Sequence, residues 1–490
     1  MKSMDDSGPR LVLALHSHQP TGNTVEVLRE ANDRCYQPIL ELLEKHPAIR
    51  MCLHYSGSLL EWLEPNRPRT LELVRELVTR GQVEVLGGGW QEPILSTIPP
   101  RDAQGQLRTM RYECARLFGV MPRGMWLAER VWDPEIPALA HDAGYLFTFV
   151  DDTHIIHAGH LQEPVTGLYV TERHGKPLTL FPISRQLRYA IPFRPPAKTI
   201  DIVVGDTTWT YGDDAEKFGL WPKTHEWVWE KGWLESFLAE MTRAQEEGRL
   251  HTVLPSQILS RERPRARVHP PTDSYREMGQ WSLPVPASSR LRAVREKLGD
   301  MEKEADPFLR GGIWSGFLDR YPESNWMHKR MLRVSRKVAR AEREHRRLGT
   351  LPPDILDARN DLYRSQTNCA YWHGLFGGLY LPHLRRALYR HMLRAENVVD
   401  PIRDGLRVTR EDLDCDGTQE VLVETGQLTC AVTPLGGCLA EIVHRPTCMR
   451  VDDTLARHPE LYHEIRNSAQ EDGKEADGIH SIHEMDRSME

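Results

Sequence analysis

The sequence lacks the features that mark several large classes of protein. Its eight cysteines, at positions 35, 52, 114, 369, 415, 430, 438 and 448, form no Cys-x-x-Cys pair. Neither a zinc ribbon nor a dense disulfide framework is therefore expected. No apolar run approaches the roughly 18 residues that a membrane span requires. The longest apolar stretch near the N-terminus, Leu11 to Leu15, follows the acidic Asp5 and Asp6, where a secretory signal would carry positive charge. Positive charge is not in excess either, with 63 lysines and arginines against 70 acids and a formal net charge of −7. That balance excludes the basic field with which non-specific nucleic-acid binders displace counterions. No internal repeat or low-complexity tract stands out. What is present, 40% hydrophobic and 27% charged residues, is ordinary globular composition. The 490 residues allow two to three domains at about 150 residues each, with a core that needs no staples. Composition thus describes a soluble, cytoplasmic protein without naming its chemistry.

The first 220 residues alternate short apolar runs with helix-period segments, the pattern of β/α units around parallel strands. Strands are predicted over 11–15, 50–53, 83–86, 124–127, 145–150 and 200–204. Helices are predicted over 25–45, 59–63, 70–80, 101–118 and 133–144, with Gly81 as a stop and Asp133-Pro134 as a start. From Val285 the pattern turns helical. A helix over 331–348 carries Val334, Val338, Ala341 and His345 on one stripe, and Arg333, Lys337, Arg340, Arg343 and Arg347 elsewhere, which reads as a solvated face. Another helix spans 382–394. After Gly405, short β-like runs at 421–423, 428–432 and 439–443 suggest a β-sandwich, cut short because such domains usually have about seven strands. The tail from Asn467 to Glu490 is polar.

Catalytic groups of α/β barrels sit where strands end, on the C-terminal face. The first predicted strand delivers His16-Ser17-His18-Gln19-Pro20, and the third carries Glu84 and then Gly87-Gly88-Gly89-Trp90-Gln91-Glu92-Pro93. The fourth leads into Trp126-Leu127-Ala128-Glu129-Arg130, and the next into Asp151-Asp152-Thr153-His154. The run at 200–204 is followed by Asp206 and then by Gly212-Asp213-Asp214-Ala215-Glu216-Lys217-Phe218-Gly219. Carboxylates, histidines and tryptophans on one face make a polar, aromatic-walled cleft of the kind that suits sugar rings. Taken singly, each has a plainer reading. Glu129 beside Arg130 fits a local ion pair, and Trp126 fits a core. His16 and His18, two apart on a strand end, face one way as metal ligands do, yet structural histidines are common. The three glycines have no following Lys-Ser and no nucleotide spacing. The joint arrangement at separate strand ends favours the cleft.

Taken together, these segments resemble glycoside hydrolase family 57, in particular its 4-α-glucanotransferase and α-amylase-like branch. His18-Gln19-Pro20 resembles the first family motif, Gly81-Gln82-Val83-Glu84-Val85 the second and Trp126-Leu127-Ala128-Glu129-Arg130 the third. Asp214-Ala215-Glu216-Lys217-Phe218-Gly219 resembles the fourth. Residues 324–331 and 371–378 are similar to segments of the family's helical region, and Pro271 to Pro284, with Ser274-Tyr275-Arg276-Glu277-Met278, to a stretch of its glucanotransferases. The second motif departs from that branch in continuing Gly88-Gly89-Trp90-Gln91-Glu92.

The resemblance implies an α/β fold: an incomplete seven-stranded (β/α) barrel over 8–284, a helical subdomain over 285–400 and a partial β-sandwich over 405–490. It implies a retaining enzyme of α-glucans or malto-oligosaccharides, with Glu129 as nucleophile and Asp214 as acid/base. Asp213 is a rival for the second role that the Asp-x-Glu-x-Phe-Gly pattern disfavours. His18, Gln19, Glu84, Trp126, Arg130, Asp213, Glu216 and His373 would bind substrate or orient the carboxylates, and Trp221 or Trp372 would offer an acceptor platform. No cofactor, metal, nucleic acid or membrane is implied, and the oligomeric state is open, a homodimer among the options. A 4-α-glucanotransferase is the leading reading, with an α-amylase as the alternative. From other classes come a metal-dependent hydrolase or deacetylase using His16, His18 and Asp151 or Asp152, and a non-catalytic glucan-binding fragment. Asp412 to Gly417 mimics a calcium loop, but the twelfth position is Val423 instead of glutamate, which excludes an EF-hand. A solvated acidic turn is the default there, with a calcium site of another kind as the alternative.

Overall fold

A computed structural model describes residues 8–374, 377–402 and 405–462. The polar tail from Asn467 onward, and Leu375 and Phe376 within the 371–378 motif, lie outside the described residues. Ten short strands come first: β1 (Arg10–Ser17), β2 (Met51–Tyr55), β3 (Val83–Leu86), β4 (Gly124–Met125), β5 (Phe147–Asp151), β6 (Tyr169–Arg173), β7 (Lys176–Ile183), β8 (Thr208–Asp214), β9 (His251–Thr252) and β10 (Ala266–Arg267). One sheet runs β3-β2-β1-β8 and a second β7-β5-β4, all parallel. A parallel bridge between Gly87 and Met125 joins β3 to β4. On the other side Ser184 N–H donates to Thr210 O at 2.9 Å, joining β7 to β8. Seven strands thus ring a barrel whose two seams are held by isolated bonds in place of continuous ladders.

The continuous apolar look of Leu11 to Leu15 follows from burial on both faces. Leu11, Leu13 and Leu15 pack outward with the surrounding helices. Val12 and Ala14 point into the barrel with Cys52, Leu86, Phe147, Phe149, Phe181 and Ile183. Because side chains alternate, His16 continues the inner set at the C-terminal mouth. Register then aligns the mouth: His16 pairs with His54 on β2 and with Asp214 on β8. Below Asp214, Gly212 has no room for a side chain, since a Cβ there would lie 2.8 Å from Ile183 Cδ1 and 3.3 Å from the Trp126 ring.

Two strand expectations need correction. Residues 200–204 are not a strand. Pro196–Ile200 is a short helix with proline in its first turn, and the barrel strand is β8, whose Trp209 and Tyr211 are buried outward. Asp206 consequently sits at the far end of β8, exposed and paired with Arg10 at 2.8 Å. The antiparallel hairpin β6–β7 was not anticipated. Its signal is His174-Gly175, both at positive φ (54° and 75°), the two-residue turn that closes hairpins.

Three long helices follow, Pro322–Arg347, Pro353–Ser365 and Pro382–Val399. Beyond them lie β11 (Arg407–Glu411), β12 (Glu420–Glu424), β13 (Leu428–Val432), β14 (Leu439–His444) and β15 (Met449–Arg450), one antiparallel sheet in sequence order. The sheet turns Glu424 and Glu441 inward, both fully buried, toward the basic helix. Arg330 pairs with Glu396 at 2.5 Å and Glu441 at 3.1 Å, and Lys337 with Glu396 at 2.5 Å and Asp400 at 2.6 Å. Arg333 reaches Glu411 at 3.7 Å and Glu424 at 3.8 Å. Arg340, Arg343 and Arg347 are exposed as expected, but Arg333 and Lys337 are not a solvated face. Carboxylates remote in sequence recruit them. Asp412 accepts from the amides of Asp416 (3.1 Å) and Gly417 (3.0 Å), as in an ordinary acidic turn. No helix among the described residues is long and apolar enough to cross a membrane.

Candidate active site

A cavity of about 490 Å³ opens at the C-terminal mouth of the barrel, roofed by residues of the helical region. All the expected site residues line it except Glu84 and His373. Glu84 lies in register with Cys52, two residues before Leu86 and so roughly 6.6 Å below the mouth. Its carboxylate accepts from Ser256 N–H at 3.0 Å, outside the residues that line the cavity. The His373 ring turns away from the cleft, with Nδ1 2.9 Å from Gly377 O and Nε2 3.2 Å from Tyr462 Oη. Its neighbour Trp372 faces the cavity instead.

Glu129 sits in a single turn, Ala128–Arg130, with φ 51° and ψ 19°, and Arg130 follows at φ 47°. Two successive left-handed residues other than glycine are strained and persist only where their surroundings hold them. The Ser274 hydroxyl donates to Glu129 O at 2.5 Å and the Tyr275 hydroxyl to Glu129 Oε2 at 2.7 Å. The Arg130 guanidinium lies 4.4 Å from the Tyr275 ring centre. The 271–284 stretch, quoted above without a chemical role, therefore buttresses this carboxylate. Burial pushes the Glu129 carboxyl up, against the opposing effects of Tyr275, Arg130 and Arg188.

The two adjacent aspartates are treated differently. Asp213 pairs with Lys217 at 2.5 Å and Arg188 at 3.4 Å. Although burial alone would raise it, these cations bring its pKa down to about 2. Asp214 faces the cavity, and burial with the charges of Asp213, Glu216 and Glu129 raises it well above the usual carboxylate range. Glu216 is pushed up to about 7, chiefly by burial. It accepts from the Tyr36 hydroxyl and, at 2.9 Å, from His18 N–H. Gln19 donates to the Tyr36 hydroxyl at 2.9 Å, so the His18-Gln19-Pro20 segment is tied to the Asp214-to-Gly219 segment.

The walls are aromatic. Trp126 stacks on His16 at 5.1 Å and 11°, and Trp372 on Trp281 at 6.2 Å and 24°. Trp221 lies below the Lys217 ammonium at 5.3 Å. Sequence reasoning gave no role to Tyr275, Trp281, Arg188, His54, Cys369 or Glu92. For His54 the period-two alternation was a usable signal, whereas the others reach the site from loops and helices. Asp151 does not join His16 and His18. It is bound by Arg188 at 2.9 Å with Arg130 at 3.9 Å, so the ligand set of the alternative metal reading does not come together. Asp152 instead accepts from Arg185 N–H at 2.9 Å.

A seven-stranded parallel barrel, with carboxyl groups of separated acidity between indole walls, defines an enzyme of glycosidic-bond chemistry. The chain belongs to glycosyl hydrolase family 57, whose profile matches residues 12–271. Profiles of the middle and C-terminal domains of alpha-amylase/4-alpha-glucanotransferase match residues 312–399 and 412–490. The chain is 39% identical to a 4-alpha-glucanotransferase of Thermococcus litoralis over 98% of its length and 70% of the relative's. It is 40% identical to an alpha-amylase of Pyrococcus furiosus, over 98% and 71%. The crystal structure of the Thermococcus litoralis 4-alpha-glucanotransferase superposes with a TM-score of 0.86, covering 94% of this chain and 70% of that one.

Proposed function

We propose that the protein is a retaining 4-α-glucanotransferase, in which Glu129 is the nucleophile and Asp214 the acid/base. The separation of Asp213 and Asp214 carries the assignment: one is locked as a carboxylate by two cations, and the other is driven toward its protonated form in the cleft. In the first half-reaction Asp214 gives its proton to the glycosidic oxygen while Glu129 attacks the anomeric carbon. The C1–O bond breaks, an ester to Glu129 forms, and the reducing-end fragment leaves with the proton. In the second half, the 4-hydroxyl of an incoming glucan returns a proton to Asp214 and attacks C1, which frees Glu129 and retains the configuration. Trp221 and Trp372 hold that acceptor against water, and His18, Gln19, Trp126, Arg130 and Glu216 shape the sugar site.

Relatives named alpha-amylase share the same sequence similarity, so hydrolysis by the same pair, with water as acceptor, is the second reading. The barrel at 8–284, a helical subdomain at 285–400 and the sheet domain from 405 are the working parts. Eight free thiols support a reducing, cytoplasmic setting.

Incubation with maltoheptaose, with and without chelator, tests the reading. Longer and shorter glucans with little gain in reducing ends, unaffected by chelator, are expected. Rising reducing ends with only shorter products would mean an amylase. Glu129→Gln should lower kcat by at least about a thousandfold, and an unimpaired variant would remove Glu129 from the mechanism.

A further inference from the structure

Behind the aromatic wall of the cleft lies a carboxylate that the mechanism above does not use. After β15 the chain leaves the sheet and runs without regular structure over 453–460, along the helical region. Asp453 fastens it to Arg385 at 2.9 Å and Arg386 at 3.1 Å, and His458 N–H donates to the Tyr380 hydroxyl at 3.1 Å. The segment ends on Glu460, which is 3% exposed. One carboxylate oxygen accepts from the hydroxyls of Tyr321 (2.9 Å) and Tyr380 (2.8 Å), and the other from the Arg320 guanidinium. A buried carboxylate needs such partners, and they hold it and themselves in one geometry.

Each donor leads to the indole pair that faces the cavity. Trp281 is the last residue of the helix Arg276–Trp281, so its carbonyl has no partner within that helix. Arg320 supplies one: Nη1 donates to Trp281 O, and Nη2 to Pro459 O at 3.0 Å. The Tyr321 ring stacks on Phe317 at 6.2 Å and 8°, and Phe317 packs against Trp372 at 5.5 Å. Tyr380 closes the turn Gly378–Tyr380, in which Leu379 N–H donates to Trp372 O at 2.9 Å. Between the indoles Gly374 has no room for a side chain, since a Cβ there would lie 2.8 Å from each ring. The two rings and the segment behind them form one packed unit.

Glu129 and Asp214 make and break the ester, but which nucleophile reaches it depends on how well the wall holds a glucan against water. A platform fixed before binding loses less freedom when a sugar ring stacks on it, and so holds the ring better. We propose that Glu460 is a positioning residue: through Arg320, Tyr321 and Tyr380 it fixes the Trp281–Trp372 pair, and with it the preference for a glucan over water as acceptor. The acceptor part of this proposal rests on the transferase reading above, but the positioning does not.

The test has two readouts on the full chain. With tryptophan replaced by 5-fluorotryptophan, ¹⁹F resonances report the indoles without turnover. The signals of Trp281, Trp372 and Trp126 are assigned by their loss in Trp281→Phe, Trp372→Phe and Trp126→Phe. In Glu460→Gln, whose amide cannot replace the charge facing Arg320, the first two should shift or split while that of Trp126 stays in place. With maltoheptaose, the hydrolysed share of the products should rise by about threefold to tenfold, the worth of one hydrogen bond. That share is a ratio, so a variant that is merely less folded lowers transfer and hydrolysis together and leaves it unchanged. Should Glu460→Gln fail to fold, Tyr321→Phe combined with Tyr380→Phe removes two of the donors, and smaller changes in the same direction are expected. Unmoved Trp281 and Trp372 signals would overturn the proposal, and so would an unchanged hydrolysed share. A wild type that makes no transfer products would sink the assigned function and the acceptor part with it, while the ¹⁹F signals still decide whether Glu460 holds the indoles.

Discussion

Asp213 and Asp214 are consecutive residues held in opposite states: Lys217 and Arg188 pin the first as a carboxylate, while the second faces the cleft among other acids. Strand alternation points their side chains in different directions, so that Asp213 meets Lys217 and Arg188 while Asp214 does not, although both border the cavity. The ionised member in turn raises its neighbour, as an acid catalyst requires.

Substitution should separate their roles. Asp214→Asn is expected to abolish transfer, lowering kcat by about a thousandfold or more with little change in thermal midpoint. Asp213→Asn leaves Lys217 and Arg188 buried beside a neutral amide, which should cost roughly 3–5 kcal/mol of stability. Thermal melts with initial rates on maltoheptaose check both. Equal rate losses without destabilisation in Asp213→Asn would reverse the assignment.

Acid stability follows from the same pair. The folded pKa of Asp213 is depressed to about 2, so its contribution is complete above the unfolded value near ~3.9 and is lost as pH falls through about 2. Asp213→Asn should therefore flatten the stability loss between about pH 4 and pH 2, read from denaturant midpoints at each pH.

Tyr275 donates to Glu129 and opposes the burial that raises its carboxyl. In Tyr275→Phe the Glu129 pKa should rise, moving the acidic limb of kcat/KM to higher pH. The loss is expected to be larger at pH 5 than at pH 7, by roughly tenfold at the acid end. A pH–rate profile that falls uniformly would contradict this.

Trp372 and Trp281 stack on the helical side of the cavity. If they hold the acceptor, Trp372→Ala should raise the share of hydrolysis over transfer severalfold, with a weaker effect on the first half-reaction. Product ladders and released reducing ends measure the partition.

Two cations on one helix should behave differently. Lys337 contacts Glu396 and Asp400, whereas Arg340 is exposed and pairs with Glu344 in the next turn, at 2.9 Å. Lys337→Ala is expected to destabilise by about 3 kcal/mol, whereas Arg340→Ala should leave the denaturant midpoint essentially unchanged.

Much of this was legible in the chain. The Leu11–Leu15 run marks a strand buried on both faces, and Val83–Leu86 has the expected limits. The quoted segments converge on one cleft because strand ends of a parallel barrel share a face. The failures have one physical origin. Residues 200–204 have an apolar pattern, but the barrel strand lies a few residues on, where Trp209 and Tyr211 pack outward. Glu84 and Glu92 are both glutamates near one strand. Register alone sinks the first beside Cys52, and a left-handed turn brings the second against His16 and His54, beneath the cleft.

By itself the sequence determined the strand alternation, which sets His16 on the face of Val12 and Ala14, and it determined the supply of carboxylates and indoles at the strand ends. Tertiary structure decided which carboxylate keeps its proton. Lys217 is one turn away, but Arg188 comes from a separate helix, Arg185–Ala190, and Tyr275 from a loop more than a hundred residues beyond Glu129. Acidity depends on distances through space and on exclusion of water, and neither quantity is written along the chain.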